Sequence, residues 1–477
     1  MKFRVLSHAC LEVTTNNTTL LTDPWVMGSA YWRSWWNYPP TPDGLAESLN
    51  PDFIYLTHLH WDHFHGVSLR KIGLDRHILV PRLPDRRLIG DLEKLGATNI
   101  TELAHGDPFQ LGDDLSVTSY QFGVFPDTVL VINAKDNSGG QTSDTTILNA
   151  NDAKIMGGPL NQVLADHPKI DFVLRSHSSA NSRLCYEITD KELGNIDDLK
   201  KYNSEFAAFA KSSGARYAIP FASNHCYLHE ETFRFNEAIN FAPDVKRYFE
   251  DNNITEPECV VMVPGDGWND ASGFELQQTD WYDNFCKRLD DYRETKEPTL
   301  AKSREMESKN EFKDRLLERY VEGLYKGTPW FLRRIFKNHP VTFIVHAGTS
   351  ARAFEIDVYK GTYQYVETVT DEDNPIQINT ASRIFQECIA MRNWNSLGIS
   401  KRVRFRVRDA DKRYVFLFLA LNNLFDYDVL PLKKIMNGRF FGVWFKRWRE
   451  PLLYVRIVFD LLVLRKSLRY ERYLPKN

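Results

Sequence analysis

Apolar and polar positions follow two periods along this chain. Short β-type runs bounded by turn residues mark strands at 3–6, 11–14 and 19–22. Residues 53–57 (FIYLT) are continuously apolar, as expected of a strand buried on both faces, and 77–80 is a second such run. Further strands are predicted at 115–120, 129–133 and 145–148, with helices at 84–95 and 196–212. Strands alternating with helices around buried sheet runs predict a layered α/β sandwich.

The pattern changes at residue 288. From there to 327 the chain is highly charged, with apolar residues at helical spacing (Met306, Phe312, Leu316, Leu317, Tyr320, Leu324). Strands return at 341–345, 353–358 and 403–407, with a helix at 380–391. The expected organisation is a catalytic domain over 1–287, a charged helical connector over 288–339, a smaller α+β domain over 340–430 and a tail over 431–477. The small domain has a sterol-carrier-like order of elements, and is expected to cap the site, mediate homodimerisation or carry an apolar substrate.

Composition adds little until it is divided. The 477 residues are 43% apolar and 26% charged, with a net charge of -3, which gives no nucleic-acid signal. The tail holds twelve Lys and Arg against Glu450, Asp460 and Glu471, interleaved with Phe440, Phe441, Trp444, Phe445, Trp448 and Tyr454. Such a basic aromatic stretch either lies on an anionic membrane surface or packs on the acidic remainder of the chain. The apolar run 451–464 is broken by Arg456 and Asp460 and is too short to span a bilayer. Six scattered Cys without C-x-x-C spacing, and no apolar leader in MKFRVLSHAC, are the expectation for a reduced cytoplasmic protein.

The chemistry concentrates in Thr57-His58-Leu59-His60-Trp61-Asp62-His63. Four imidazole and carboxylate donors on one turn at a strand end suit Zn, Fe or Mn. His58 and His60 can grip one ion while Asp62 and His63 grip a second, so two divalent ions sharing a bridging water are expected, with Asp62 and His63 closest to the chemistry. A surface cluster of histidines holding no ion is the bland alternative.

This H-x-H-x-D-H run is the signature of the metallo-β-lactamase superfamily, which the chain resembles. The resemblance implies an αββα sandwich and further ligands. Asp152, after 148–151, is the expected bridging carboxylate, and the last His is expected at His229 or His225, with His177 a weaker candidate. The His usual between these motifs is missing from 119–127, and His105 lies only upstream. Asp23 and His8 are expected behind the ligands, orienting a ligand imidazole. Several segments, among them Ser7–Glu12, Leu21–Trp25 and the aromatic loop with Tyr31, Trp32, Arg33, Trp35, Trp36 and Tyr38, are similar to the catalytic region of CMP-N-acetylneuraminate hydroxylase. Trp32, Arg33, Trp35 and Trp36 are candidates to bind a sugar, base or phosphate of a small-molecule substrate.

That resemblance implies an iron-dependent oxygenase acting on a polar sugar- or carrier-linked metabolite. The paired C-x-H and C-x-x-H motifs of a Rieske cluster are absent from this sequence, so a Rieske or ferredoxin electron donor is expected as a partner. Iron is the favoured metal and zinc the alternative. The competing function is a two-metal hydrolase of a phosphodiester, amide or lactone. A scaffold that has lost its chemistry is disfavoured by the intact His58, His60, Asp62 and His63.

Overall fold

The computed structural model describes residues 1–136, 143–178, 182–192 and 199–475. The first three residues of the helix expected at 196–212, and Lys476 of the tail, lie outside the described residues. Two twisted sheets face one another across an apolar layer. The eight-stranded sheet has at its centre Lys2–Val5, Leu11–Thr14, Thr19–Thr22, Phe53–Tyr55 and His77–Pro81. The seven-stranded sheet is built around Leu115–Phe122, Asp127–Asp136, Ser143–Asn151, Phe172–Ser176 and Tyr217–Phe221. Leu11, Val13, Tyr55 and Leu79 of one sheet meet Val117, Ile132, Ile147 and Leu174 of the other.

The run 53–57 shows why a strand with two buried faces reads as unbroken hydrophobicity. Ile54 points to the outer helices Gly66–Ile72 and Arg87–Leu95, while Tyr55 points into the layer between the sheets. Its parallel neighbours, paired at Leu21↔Ile54 and Ile54↔Ile78, repeat the arrangement. The second sheet is covered by Gly157–Asp166, Leu199–Ser213 and Ala242–Asp251. The architecture is therefore the αββα sandwich of the metallo-β-lactamase fold, followed by a further α+β region.

A third sheet of six strands contains Val341–Ala347, Ser350–Asp357, Thr362–Val366, Ile376–Ala381 and Val403–Val407. Its outer strand, Tyr186–Ile188, comes from within the first 287 residues and pairs in parallel with Val403–Val407. The helix expected from residue 380 begins at Ser382, because Thr380 and Ala381 pair with Val345 and His346 as the end of a strand. Of the charged helices Phe285–Ser308 and Asp314–Gly327, the second buries Leu317, Val321 and Leu324 in the core of this third sheet.

Candidate metal centre

The strand Phe53–Tyr55 delivers the loop His58–His63 to the sheet end, and a buried carboxylate fixes it there. Asp23 accepts the Thr57 amide and hydroxyl, both at 2.8 Å, lies 3.0 Å from His63 Nδ1, and receives the Asn151 amide at 3.0 Å. One side chain thus ties three chain segments together. Asp152 arrives by a different device. The ladder between Ser143–Asn151 and Phe172–Ser176 shifts register between Asn149 and Asn151, and Asn151 turns left-handed at φ 45°. The bulge aims Asp152 at the loop, with Oδ2 3.2 Å from His63 Nε2.

Three groups of side chains offer ligand atoms within 4.8 Å of one another: His58, His60 and Asp127; His58, His63 and Asp152; and His8, Asp62 and His63. Each holds two imidazoles and one carboxylate. His58 and His63 are shared, so the groups form one continuous centre wide enough for adjacent ions. Asp127 was not singled out from sequence. It opens the strand Asp127–Asp136 within the same 119–127 stretch that lacks a His, and its Oδ1 lies 3.8 Å from His58 Nε2. A Pro-Asp pair at a turn carries no metal signal by itself, so only the fold exposes it.

His8, expected behind the ligands, stands among them with Nε2 3.2 Å from Asp62 Oδ2. Neither of its ring nitrogens has a well-formed hydrogen bond, although the ring is buried. A buried imidazole left this way costs free energy unless a further partner exists, and a cation beside Asp62 supplies one. The donor set therefore fits divalent metal.

The other histidines divide differently. His225 stacks flat on Trp35 at 3.7 Å and lies 5.6 Å from the His8 ring, outside the three groups. His229 also falls outside them, with Nδ1 accepting the Glu231 amide. His177 is buried with both nitrogens unpartnered, again outside the groups. His105 faces Gln121. The single C-x-x-H spacing, Cys226 to His229, has no C-x-H companion, and Cys226 is buried with Trp36, Tyr38 and Leu228.

Electrostatics at the centre are those of crowded buried charge. Burial pulls the His63 imidazole down, but Asp62, Asp23 and Asp152 outweigh it and hold it well above its ordinary value. His58 is driven well below by burial and by His63 and His60. Burial together with the Asp152 charge pushes the partly exposed Asp127 up to about 7.

The aromatic loop separates into two roles. Trp35 and Trp36 are buried, whereas Trp32 and Arg33 line a cavity of about 910 Å³ together with Trp61, Arg70, Arg383 and Glu387. Tyr31, Trp32 and Arg33 are three successive left-handed residues, at φ 51°, 55° and 65°. Such strain is held only by surrounding contacts. Tyr31 donates to Asp62 at 2.5 Å, Trp32 Nε1 donates to Glu387 at 2.6 Å, and Arg402 donates to the Trp32 carbonyl at 3.0 Å. Metal loop, aromatic loop and third sheet are thereby linked.

Residues 2–138 match the family model described as the beta-lactamase superfamily domain. That match takes in the loop His58–His63 and Asp127 and ends before Asp152. A protein of Mycolicibacterium smegmatis that bears a Rieske 2Fe-2S iron-sulfur name is 27% identical over 283 residues, 56% of this chain and 52% of its own length. Cytidine monophosphate-N-acetylneuraminic acid hydroxylase of Xenopus laevis is 31% identical over 152 residues, 30% of this chain and 25% of that protein. The chain thus spans about half, or a quarter, of the length of these relatives. Solved structures similar to part of this chain include an isothiocyanate hydrolase from Delia radicum gut bacteria (17% identity, TM-score 0.40, covering 56% of this chain and 99% of that one). A CmlA beta-hydroxylase mutant has 16% identity and a TM-score of 0.37, covering 56% and 53%.

Proposed function

We propose that this metal-dependent enzyme is an iron oxygenase that hydroxylates a polar, sugar- or carrier-linked metabolite. The observation that carries the reading is Asp127. With it, the His58–His60 side of the centre becomes two imidazoles and one carboxylate, the donor set of non-haem iron oxygenases, where a hydrolase of this fold has a third His. When bound, ferrous iron with open coordination positions supplies oxygen activation. The residues of the chain do the rest. Asp23 and Thr57 hold His63 and the loop in one orientation. The Tyr31 hydroxyl fixes one oxygen of Asp62 and leaves the other facing His8 and His63. Trp32 and Trp61 wall the neighbouring cavity, where Arg33 and Arg383 present cationic heads to an anionic part of the substrate.

The likeness to proteins with Rieske and hydroxylase names supports the same reading. Electrons then come from an iron–sulfur donor outside these 477 residues, because the paired cluster motif is not among them. A second reading, two-metal hydrolysis, is favoured by the sharing of His58 and His63 between groups, which suits two adjacent ions around one water.

Metal analysis and visible spectroscopy of protein purified without added metal separate the two. The oxygenase predicts about two irons per chain and absorption that changes on reduction and on exposure to oxygen. D127H should shift bound metal from iron toward zinc. Colourless zinc protein that cleaves phosphodiester or amide substrates, with D127H at least as active, would assign the hydrolase instead.

A further inference from the structure

The helix Arg449–Leu462 is amphipathic in the reverse of the usual sense. A surface helix turns its apolar stripe to the core and its charges to water. Here the inward face carries Glu450 and Asp460, both buried, with Leu453 wedged against Gly157. Those inward charges are satisfied. Glu450 accepts Arg447 at 2.7 Å and the Gly123 amide at 2.8 Å, and Asp460 meets Lys466 at 3.2 Å and the Tyr473 hydroxyl at 3.0 Å.

The outward face is apolar. Trp448, at the N-cap, and Leu452, Val455, Phe459 and Leu462 follow one another at alternating spacings of four and three residues, forming a single stripe on this helix, and Phe445 precedes them near the end of Gly438–Lys446. All six are at least half exposed, from 50% at Trp448 to 80% at Phe445. Nothing among the described residues covers them. Patches of this kind mark a binding surface.

Charge selects the occupant. Some tail cations are spent on the acidic body of the chain, as Arg439 on Glu102 and Lys446 on Asp107. Lys433, Arg456, Arg465 and Arg469 make no ion pair among the described residues; the last three are exposed, Arg456 within the helix and Arg465 and Arg469 just beyond its end. A second copy meeting this face about a two-fold axis would set those cations against their own equivalents. Anionic headgroups beside acyl chains match both features. The fourteen-residue helix is about 21 Å long, and no described helix is long and apolar enough to cross a membrane.

We infer that the stripe on Gly438–Lys446 and Arg449–Leu462 docks the protein, in the plane of the interface, on an anionic lipid bilayer. The test is co-sedimentation of the full chain with vesicles of phosphatidylcholine mixed with phosphatidylserine, and with vesicles of phosphatidylcholine alone, at low and high salt. The mixed vesicles should retain the protein, and salt should release much of it. V455D/F459D should weaken retention by at least about tenfold, and R456E/R465E by about fivefold per cation lost. The side chains of Val455, Phe459 and Arg465 are exposed, so circular dichroism, Tm and metal content should not change in V455D/F459D or in R465E alone, which keep Arg456 over the Tyr473 ring. Failure to sediment with either vesicle overturns the inference, as does equal retention on phosphatidylcholine alone. Light scattering that shows a dimer dissolved by V455D/F459D, without vesicle binding, would assign the face to a second copy.

Discussion

The metal loop and the carboxy-terminal helices both break the rule that apolar residues go in and polar residues go out, and they break it oppositely. At the loop, His8, His58, Asp62 and His63 are buried together, and their mutual contacts leave orphaned nitrogens and displaced proton affinities. At the helices, the inward charges are mostly partnered and the irregularity lies outside, in an apolar stripe with no cover. Polar groups that stay frustrated in the folded chain point to an ion. Polar groups that are satisfied, with apolar groups left over, point to a surface. Violations of local patterning concentrate where a protein meets something else.

The comparison can be broken most sharply at the loop. H58A removes a donor from two of the three groups. It should abolish stoichiometric metal binding and lower activity by more than the ~100-fold that loss of a supporting residue costs, read by metal analysis and turnover. Next comes the inward face of the tail. E450A strands the buried Arg447 guanidinium and the Gly123 amide, and should cost about 3–5 kcal/mol in chemical denaturation while leaving metal content unchanged. D23N keeps the shape but weakens the hold on His63 and Thr57. It should reduce metal affinity about 10- to 100-fold in a chelator competition, with little change in fold.

The smallest effect belongs to Asp426, a buried carboxyl away from the centre that accepts the Trp394 amide at 2.7 Å. Burial pushes it up to about 7. At acid pH, folded and unfolded chains both hold its proton. As pH rises toward 7 the unfolded chain releases the proton and the folded chain retains it, so this group's contribution to stability falls and then levels off. D426N keeps an acceptor without a charge. It should flatten that part of the Tm profile by a few degrees, whereas an unchanged slope would show that the carboxyl is already ionised in the fold.

The sandwich was legible because its central strands are buried on both faces, so that FIYLT and HILV announce themselves as apolar runs. The loop was legible because donor spacing survives in one dimension. Asp152 could be found only through a resemblance, since a register shift in the strand pairing is what aims it. Asp127 was hidden, because a turn aspartate looks the same whether or not a sheet carries it to His58. Ile376–Ala381 was not predicted, its last two residues being counted in the following helix, and Thr362–Val366 was missed because an edge strand with exposed Thr362, Gln364 and Tyr365 carries little hydrophobic signal. The outward stripe of the tail could be written down as composition, but its direction depends on Glu450 and Asp460 finding partners.

The strand Tyr186–Ile188 gives the molecule a history during synthesis. It leaves the ribosome with the first sandwich, yet its partner Val403–Val407 emerges only about 200 residues later. Until then a piece of the third sheet's edge waits unpaired on a nearly finished amino-terminal body. One strand of the amino-terminal half thus forms the edge of the third sheet, so a cut between the halves takes that sheet apart. A fragment ending before residue 403 would expose a strand edge, and a fragment starting after 188 would lack one of its six strands.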